Sequence, residues 1–252
     1  MSGASSKSEV ASESSKFGSV PRVVLNVLLI FIGSQIIASL LLAVVLGIFH
    51  AAPGALDNSP AAQFFYVFAA EALAAGSVYY ILKRRGLSLA AIGLGRRPKL
   101  HDLGYAAAGF VAFYILLVGV SIIVGLLYPD ISKGSQDIGF NHLNGPLDSV
   151  IAFAALVLLP PLGEEPLVRG YLYTGLRLRY KFVPAMIVTS LLFGAAHLLT
   201  GFGPGLLWAA GLNTFVLSLV LVFLRERTGA LYAGMLVHAL NNAVAFGFHF
   251  HL

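Results

Sequence analysis

From residue 23 to residue 49 the chain runs 27 residues without a charged side chain. A helix of that length rises far enough to cross a hydrocarbon layer of about 30 Å, and it is too long for a signal peptide's apolar core of about 7–15 residues. Six more apolar segments follow, near 61–82, 103–128, 150–173, 183–199, 205–224 and 230–248. The turn residues Pro53-Gly54, Gly93 to Pro98, Pro129-Asp130, Gly145-Pro146, Gly203-Pro204 and Thr228-Gly229 separate them. Charged residues make up 11% of the chain and hydrophobic ones 58%. Soluble domains carry roughly 25% charge, so a water-exposed globule is excluded. The ten-residue alternating segments of a membrane barrel are absent as well. The expected fold is therefore all-α, a polytopic transmembrane bundle of about seven spans (seven to eight). With no cysteine, disulfides, thiolate metal sites and thiol catalysis are ruled out.

Residues 1–21 are Ser-rich and polar and read as a disordered tail, followed by one helical domain over 22–252. Of the 16 basic residues, 14 lie in alternate connections: Lys7, Lys16 and Arg22; Lys83, Arg84, Arg85, Arg96, Arg97 and Lys99; Arg177, Arg179 and Lys181; Arg225 and Arg227. The opposite connections hold Asp57, Asp130, Asp137 and Asp148, with Lys133 as their one base. The positive-inside rule then puts the N-terminus in the cytoplasm of a multi-pass protein, in the plasma membrane if the source is prokaryotic. The net charge of +5 is a topology signal, with no cluster suited to nucleic acid. Membrane lipids are the expected surroundings, and the oligomeric state is open.

The base left over, Arg169, lies inside the fourth segment, within Leu158-Leu159-Pro160-Pro161-Leu162-Gly163-Glu164-Glu165-Pro166-Leu167-Val168-Arg169-Gly170. Charges at bilayer depth cost about 2.5–3.5 kcal/mol each on insertion scales and point to function by default. Glu165 and Arg169 are four apart and share a helix face, while Glu164 is turned away by about 100° and has no local partner. One carboxylate thus reads as structural and the other as chemical. Pro160, Pro161 and Pro166 interrupt the hydrogen-bond ladder, which membrane depth tolerates only beside protein or a wet cavity. Glu165 lies 16 residues before Lys181 and His197 lies 16 after it, so an antiparallel hairpin sets the two at one depth. His238 and Asn242 share a face of the last segment, and Gly194, Ala195 and Ala196 permit close helix approach. Glu71, in the second segment, has no motif around it.

Glu-Glu-x-x-x-Arg, Phe-x-x-x-His and His-x-x-x-Asn, in this order over about 149–246, resemble the CPBP intramembrane proteases, which include the CAAX prenyl endopeptidases and the bacterial Abi proteins. Where members often carry an aromatic residue just before the arginine, this chain has Val168. The resemblance implies that Glu164 activates a water with His197 assisting, and that His238 and Asn242 stabilise the oxyanion. It implies that Glu165 and Arg169 hold the geometry. The implied substrate is a membrane-anchored protein or peptide, with a prenylated CaaX tail as the natural candidate.

Two histidines and a carboxylate also form a zinc-ligand set, with Glu164, His197 and His238 as the ligands if a metal is present. The one-helix His-Glu-x-x-His spacing is missing, which favours a metal-free water. Each feature alone has a plainer meaning: an ion pair at Glu165–Arg169, an interfacial His197, interhelical hydrogen bonding at His238 and Asn242. The rival functions are a non-catalytic bacteriocin-immunity or scaffold protein of the same fold and a proton-coupled transporter.

Overall fold

The computed structural model describes residues 15–51, 54, 58–129, 138–198 and 206–251. Lys7, Pro53, Asp57, Asp130, Lys133, Asp137 and the Gly203-Pro204 turn lie outside these residues. The described residues form seven long helices: α1 (Val20–Ile48), α2 (Pro60–Arg84), α3 (Leu100–Leu127), α4 (Pro146–Arg177), α5 (Phe182–His197), α6 (Trp208–Thr228) and α7 (Tyr232–His249). Each falls within a few residues of an apolar segment seen in the sequence. Five of them, α1, α2, α3, α4 and α6, are long and apolar enough to cross a membrane. At 16 residues α5 rises only about 24 Å, and α7 carries His238, Asn241 and Asn242 among its apolar residues.

Burial explains the order of packing. The run from Glu165 to Tyr173 is buried at every position, so α4 is the axis of the bundle. Leu167, Val168, Tyr171, Leu172 and Leu176 meet Val23 and Val27 of α1, Ala74, Val78 and Leu82 of α2, and Phe193 of α5. A second cluster joins Ala106 and Phe113 of α3 to Leu217, Leu221 and Leu224 of α6 and Val237 of α7. The outer faces of α1 and α3 stay apolar and exposed, with Leu29 62% and Ile115 67% accessible. A helix apolar all round and yet uncovered by protein is suited to lipid contact. The chain is an integral membrane helical bundle.

Two expectations shift. The tail does not run to residue 21: α1 starts at Val20, and Phe17 is fully buried and stacked on Tyr171 at 5.7 Å between centroids. Arg85 pins it by donating to the Phe17 carbonyl and, at 3.0 Å, to the Tyr171 hydroxyl. The prolines of α4 do not break it either. Its hydrogen-bond register changes instead, with π-helical turns at Ala154–Leu158 and Pro166–Leu172 on either side of the α-helical Leu159–Glu165. A π-turn takes up the residues whose i→i−4 bonds proline cannot make.

Candidate active site

The α-helical step between the two π-turns carries Glu164 and Glu165, which as adjacent helical residues point about 100° apart. Glu165 is fully buried, and its Oε1 accepts from Arg169 Nη1 and from His238 Nδ1, each at 2.9 Å. Glu164 is half-buried and borders a cavity of about 430 Å3 that is also lined by His197, His238, Asn241 and Asn242. His238 links the two carboxylates: its Nε2 lies 3.8 Å from Glu164 Oε2. A carboxylate at Glu165 only accepts, so Nδ1 is the donor and Nε2 is the nitrogen presented to the cavity.

Arg169 is fully buried, and apart from Glu165 it has little polar company. Its Nε and Nη2 make no hydrogen bond, and its guanidinium lies 4.2 Å over the Phe193 ring. Cation–π contact at that distance partly replaces lost hydration. Phe193 also touches both histidines, with ring centroids 4.6 Å from His197 and 6.2 Å from His238. One turn further along α5, His197 Nδ1 donates to the Phe193 carbonyl at 2.9 Å, which puts the lone pair on Nε2. The aromatic residue of Phe-x-x-x-His is therefore the surface that Arg169, His197 and His238 meet.

Asn242 repairs the helix that the prolines disturb. Pro160 has no N–H to offer the Leu156 carbonyl four residues earlier. Asn242 Nδ2 donates to that carbonyl at 3.1 Å, tying α7 to the π-turn of α4. One amide hydrogen is spent on this bond and the other remains for the cavity. Tight helix approach frames the site: an added Cβ on Gly194 of α5 would lie 2.8 Å from the Gly211 carbonyl of α6.

Sequence reading left Glu71 without a role, and the fold brings it to the motif. Its side chain and backbone pack on Gly163, and its carboxyl group lies within electrostatic reach of Glu164. The general rule that an ionisable residue at membrane depth marks a site was the signal available. A Cβ added at Gly163 would meet Glu71 Oε2 at 2.1 Å, its carbonyl oxygen at 2.9 Å and its Cα at 3.0 Å. The side chain can swing aside, but the backbone of α2 cannot. Gly163→Ala is expected to cost about 1–3 kcal/mol of overpacking and to displace Glu164. By contrast, the nearest atom to a Cβ at Gly234 is 3.5 Å away, so Gly234→Ala should leave stability unchanged or raised. Thermal midpoints of the two purified variants check this contrast.

Among the described residues, no group of three or more His, Asp or Glu side chains is disposed to hold an ion.

Among known proteins, residues 146–244 match the family model described as type II CAAX prenyl endopeptidase, Rce1-like. No curated protein and no solved structure matches the chain. The matched segment contains Glu164, Glu165, Arg169, Phe193, His197, His238 and Asn242, the seven motif residues that lie near one another in the fold. Over residues 146–244, less than half of the chain, the protein is thus similar to the CAAX-type prenyl endopeptidases.

Proposed function

We propose that this protein is an intramembrane endopeptidase that cleaves a peptide bond of a membrane-associated, CaaX-type lipidated substrate with a water activated by Glu164 and His197. The observation that carries this reading is the sharing of one cavity by Glu164, His197, His238 and Asn242, above a buried Glu165–Arg169 pair. Glu164 Oε2 makes no hydrogen bond within the protein. Glu164 and His197 line the same cavity, where they can hold one water between them while His238 Nε2 is left for the carbonyl oxygen.

Glu164 takes a proton from that water, and its oxygen attacks the scissile carbonyl carbon. Negative charge gathers on the carbonyl oxygen, where the second Asn242 N–H and a protonated His238 Nε2 can donate. Glu165 fixes the His238 ring by accepting from Nδ1. The tetrahedral adduct collapses as the C–N bond breaks, and the proton held by Glu164 passes to the departing nitrogen. The products are a carboxylate and an amine.

A neighbouring cavity of about 730 Å3, lined almost wholly by apolar groups including Leu191, Leu198, Trp208, Leu212 and Phe215, flanks the same α5–α6 hairpin. Its size and polarity suit an isoprenoid chain beside the site. The charge asymmetry of the connections supports entry of the substrate from the cytoplasmic side, with the N-terminus on that side.

The test is cleavage of a quenched peptide carrying a farnesyl-cysteine near its C-terminus by the purified full chain. The wild type is expected to cleave it faster than the unprenylated peptide, and His197→Ala should abolish cleavage of both. Equal rates for wild type and His197→Ala contradict the mechanism. Equal rates for the two peptides contradict the lipidated substrate alone.

A further inference from the structure

The cavity that Glu164 borders has a direction. The helices α4 and α6 end in basic residues, so they run toward the basic connections, and α5 and α7 run away from them. Each lines the cavity from the end remote from those connections: α4 with Pro160, α5 with its last residue, His197, α6 with Ala210 and Thr214, and α7 with Asn242 and Ala245. Ile138, in the connection between α3 and α4, lines it too. Exposure rises along the same line, from the buried His238 and Leu217 to the exposed Ala209 and Ala245. Among the described residues, none from the basic stretches 83–99, 177–181 and 225–227 reaches it.

Toward the basic connections the bundle is closed. The run from Glu165 to Tyr173 is buried throughout, and three further segments close that end. Phe17 stacks on Tyr171. Ile92, from the connection between α2 and α3, sits on Gly170, where an added Cβ would lie 3.1 Å from the Ile92 Cβ. Leu231, in the turn before α7, donates its N–H to the Gly93 carbonyl at 3.2 Å. All three side chains are apolar and at most 1% exposed, which is no path for water. The open side is the polar one. Asn213 and Thr214 of α6 and Asn241 and Asn242 of α7 line the cavity at a depth where such groups are tolerated beside protein or water. A volume of about 430 Å3 has room for several waters.

We propose that the site draws its water from the membrane face opposite the basic connections, the non-cytoplasmic face by the positive-inside rule. What the water does rests on the hydrolytic reading above; where it comes from rests on the cavity and its seal. Hydrolysis consumes one water at each turnover, and the amide and hydroxyl side chains between Ala245 and Glu164 line its way in. A substrate arriving from the cytoplasmic side therefore meets its water from the other one.

Because the chain has no cysteine, single cysteines report access directly. Ala210→Cys and Ala245→Cys mark the opening, Asn241→Cys the interior, Ala233→Cys the sealed end and Arg97→Cys the basic face. Each full-length variant is treated with a charged, membrane-impermeant methanethiosulfonate in right-side-out and in inverted membrane vesicles, and modification is read by mass spectrometry. Ala210→Cys, Ala245→Cys and Asn241→Cys are expected to react in right-side-out vesicles only, Arg97→Cys in inverted vesicles only, and Ala233→Cys in neither. The proposal is overturned if the cavity cysteines react from the same side as Arg97→Cys, or from neither side where Arg97→Cys reacts. Arg97→Cys reacting in right-side-out vesicles overturns the assignment to the non-cytoplasmic face. Should Asn241→Cys fail to fold, as its thermal midpoint would show, the two alanine positions carry the test. No cleavage is needed for any of these readings, so a chain that labels as expected and cuts no peptide overturns the hydrolytic reading alone.

Discussion

Glu164→Gln is expected to slow peptide cleavage by about 10²–10⁴-fold, the usual range for removal of a general base, and to leave the protein as stable as before. The amide has the shape of the carboxyl group and cannot take a proton from water. The fold does not depend on the charge, since Glu164 borders the cavity and its buried Oε2 has no hydrogen-bond partner. Glu165→Gln is the informative contrast. Its carboxylate is the acceptor for both Arg169 and His238, so the amide should lower the thermal midpoint and the activity together. The two adjacent glutamates differ by one residue and should fail in different ways. Rates on the quenched peptide and midpoints of the same preparations separate them. A Glu164→Gln protein that unfolds early and still cleaves would exchange the roles assigned here.

The seven helices were legible because each is a long apolar run bounded by turn residues, and that information is local. So was the Glu165–Arg169 pairing, which needs only helix geometry. Other features depend on partners far along the chain. Pro160 announces that the Leu156 carbonyl lacks a donor, but nothing near it says that Asn242, 86 residues away, provides one. The Phe-x-x-x-His pattern picks out Phe193, but its part as a face for Arg169 comes only from the fold. Gly163 reads as a small residue in a proline-rich stretch, and its necessity comes from α2 crossing against it. The prolines themselves suggested an interrupted helix, whereas burial on all sides holds the segment helical and shifts its bonding register instead. Tail and helix were misdivided for a similar reason, since the fate of Phe17 is decided by Tyr171 and Arg85.

Arg169→Leu is expected to destabilise the protein by about 3–5 kcal/mol, because it leaves the fully buried Glu165 without its compensating cation. The penalty belongs to the stranded carboxylate more than to the lost contact, and that can be measured. Glu165→Leu/Arg169→Leu removes both charges and keeps apolar volume at the bundle axis, so it should regain most of the lost stability or exceed the wild type. Its activity should stay at the level of the single variant. Without Glu165, His238 Nδ1 has no acceptor, and the ring is no longer held with Nε2 toward Glu164. Chemical denaturation in detergent and rates on the quenched peptide together test the separation. Recovery of both stability and rate in the double variant would make the ion pair a packing device alone. Recovery of stability without rate shows that the bundle keeps two desolvated charges at its centre to orient an imidazole, at a cost that apolar side chains would have avoided.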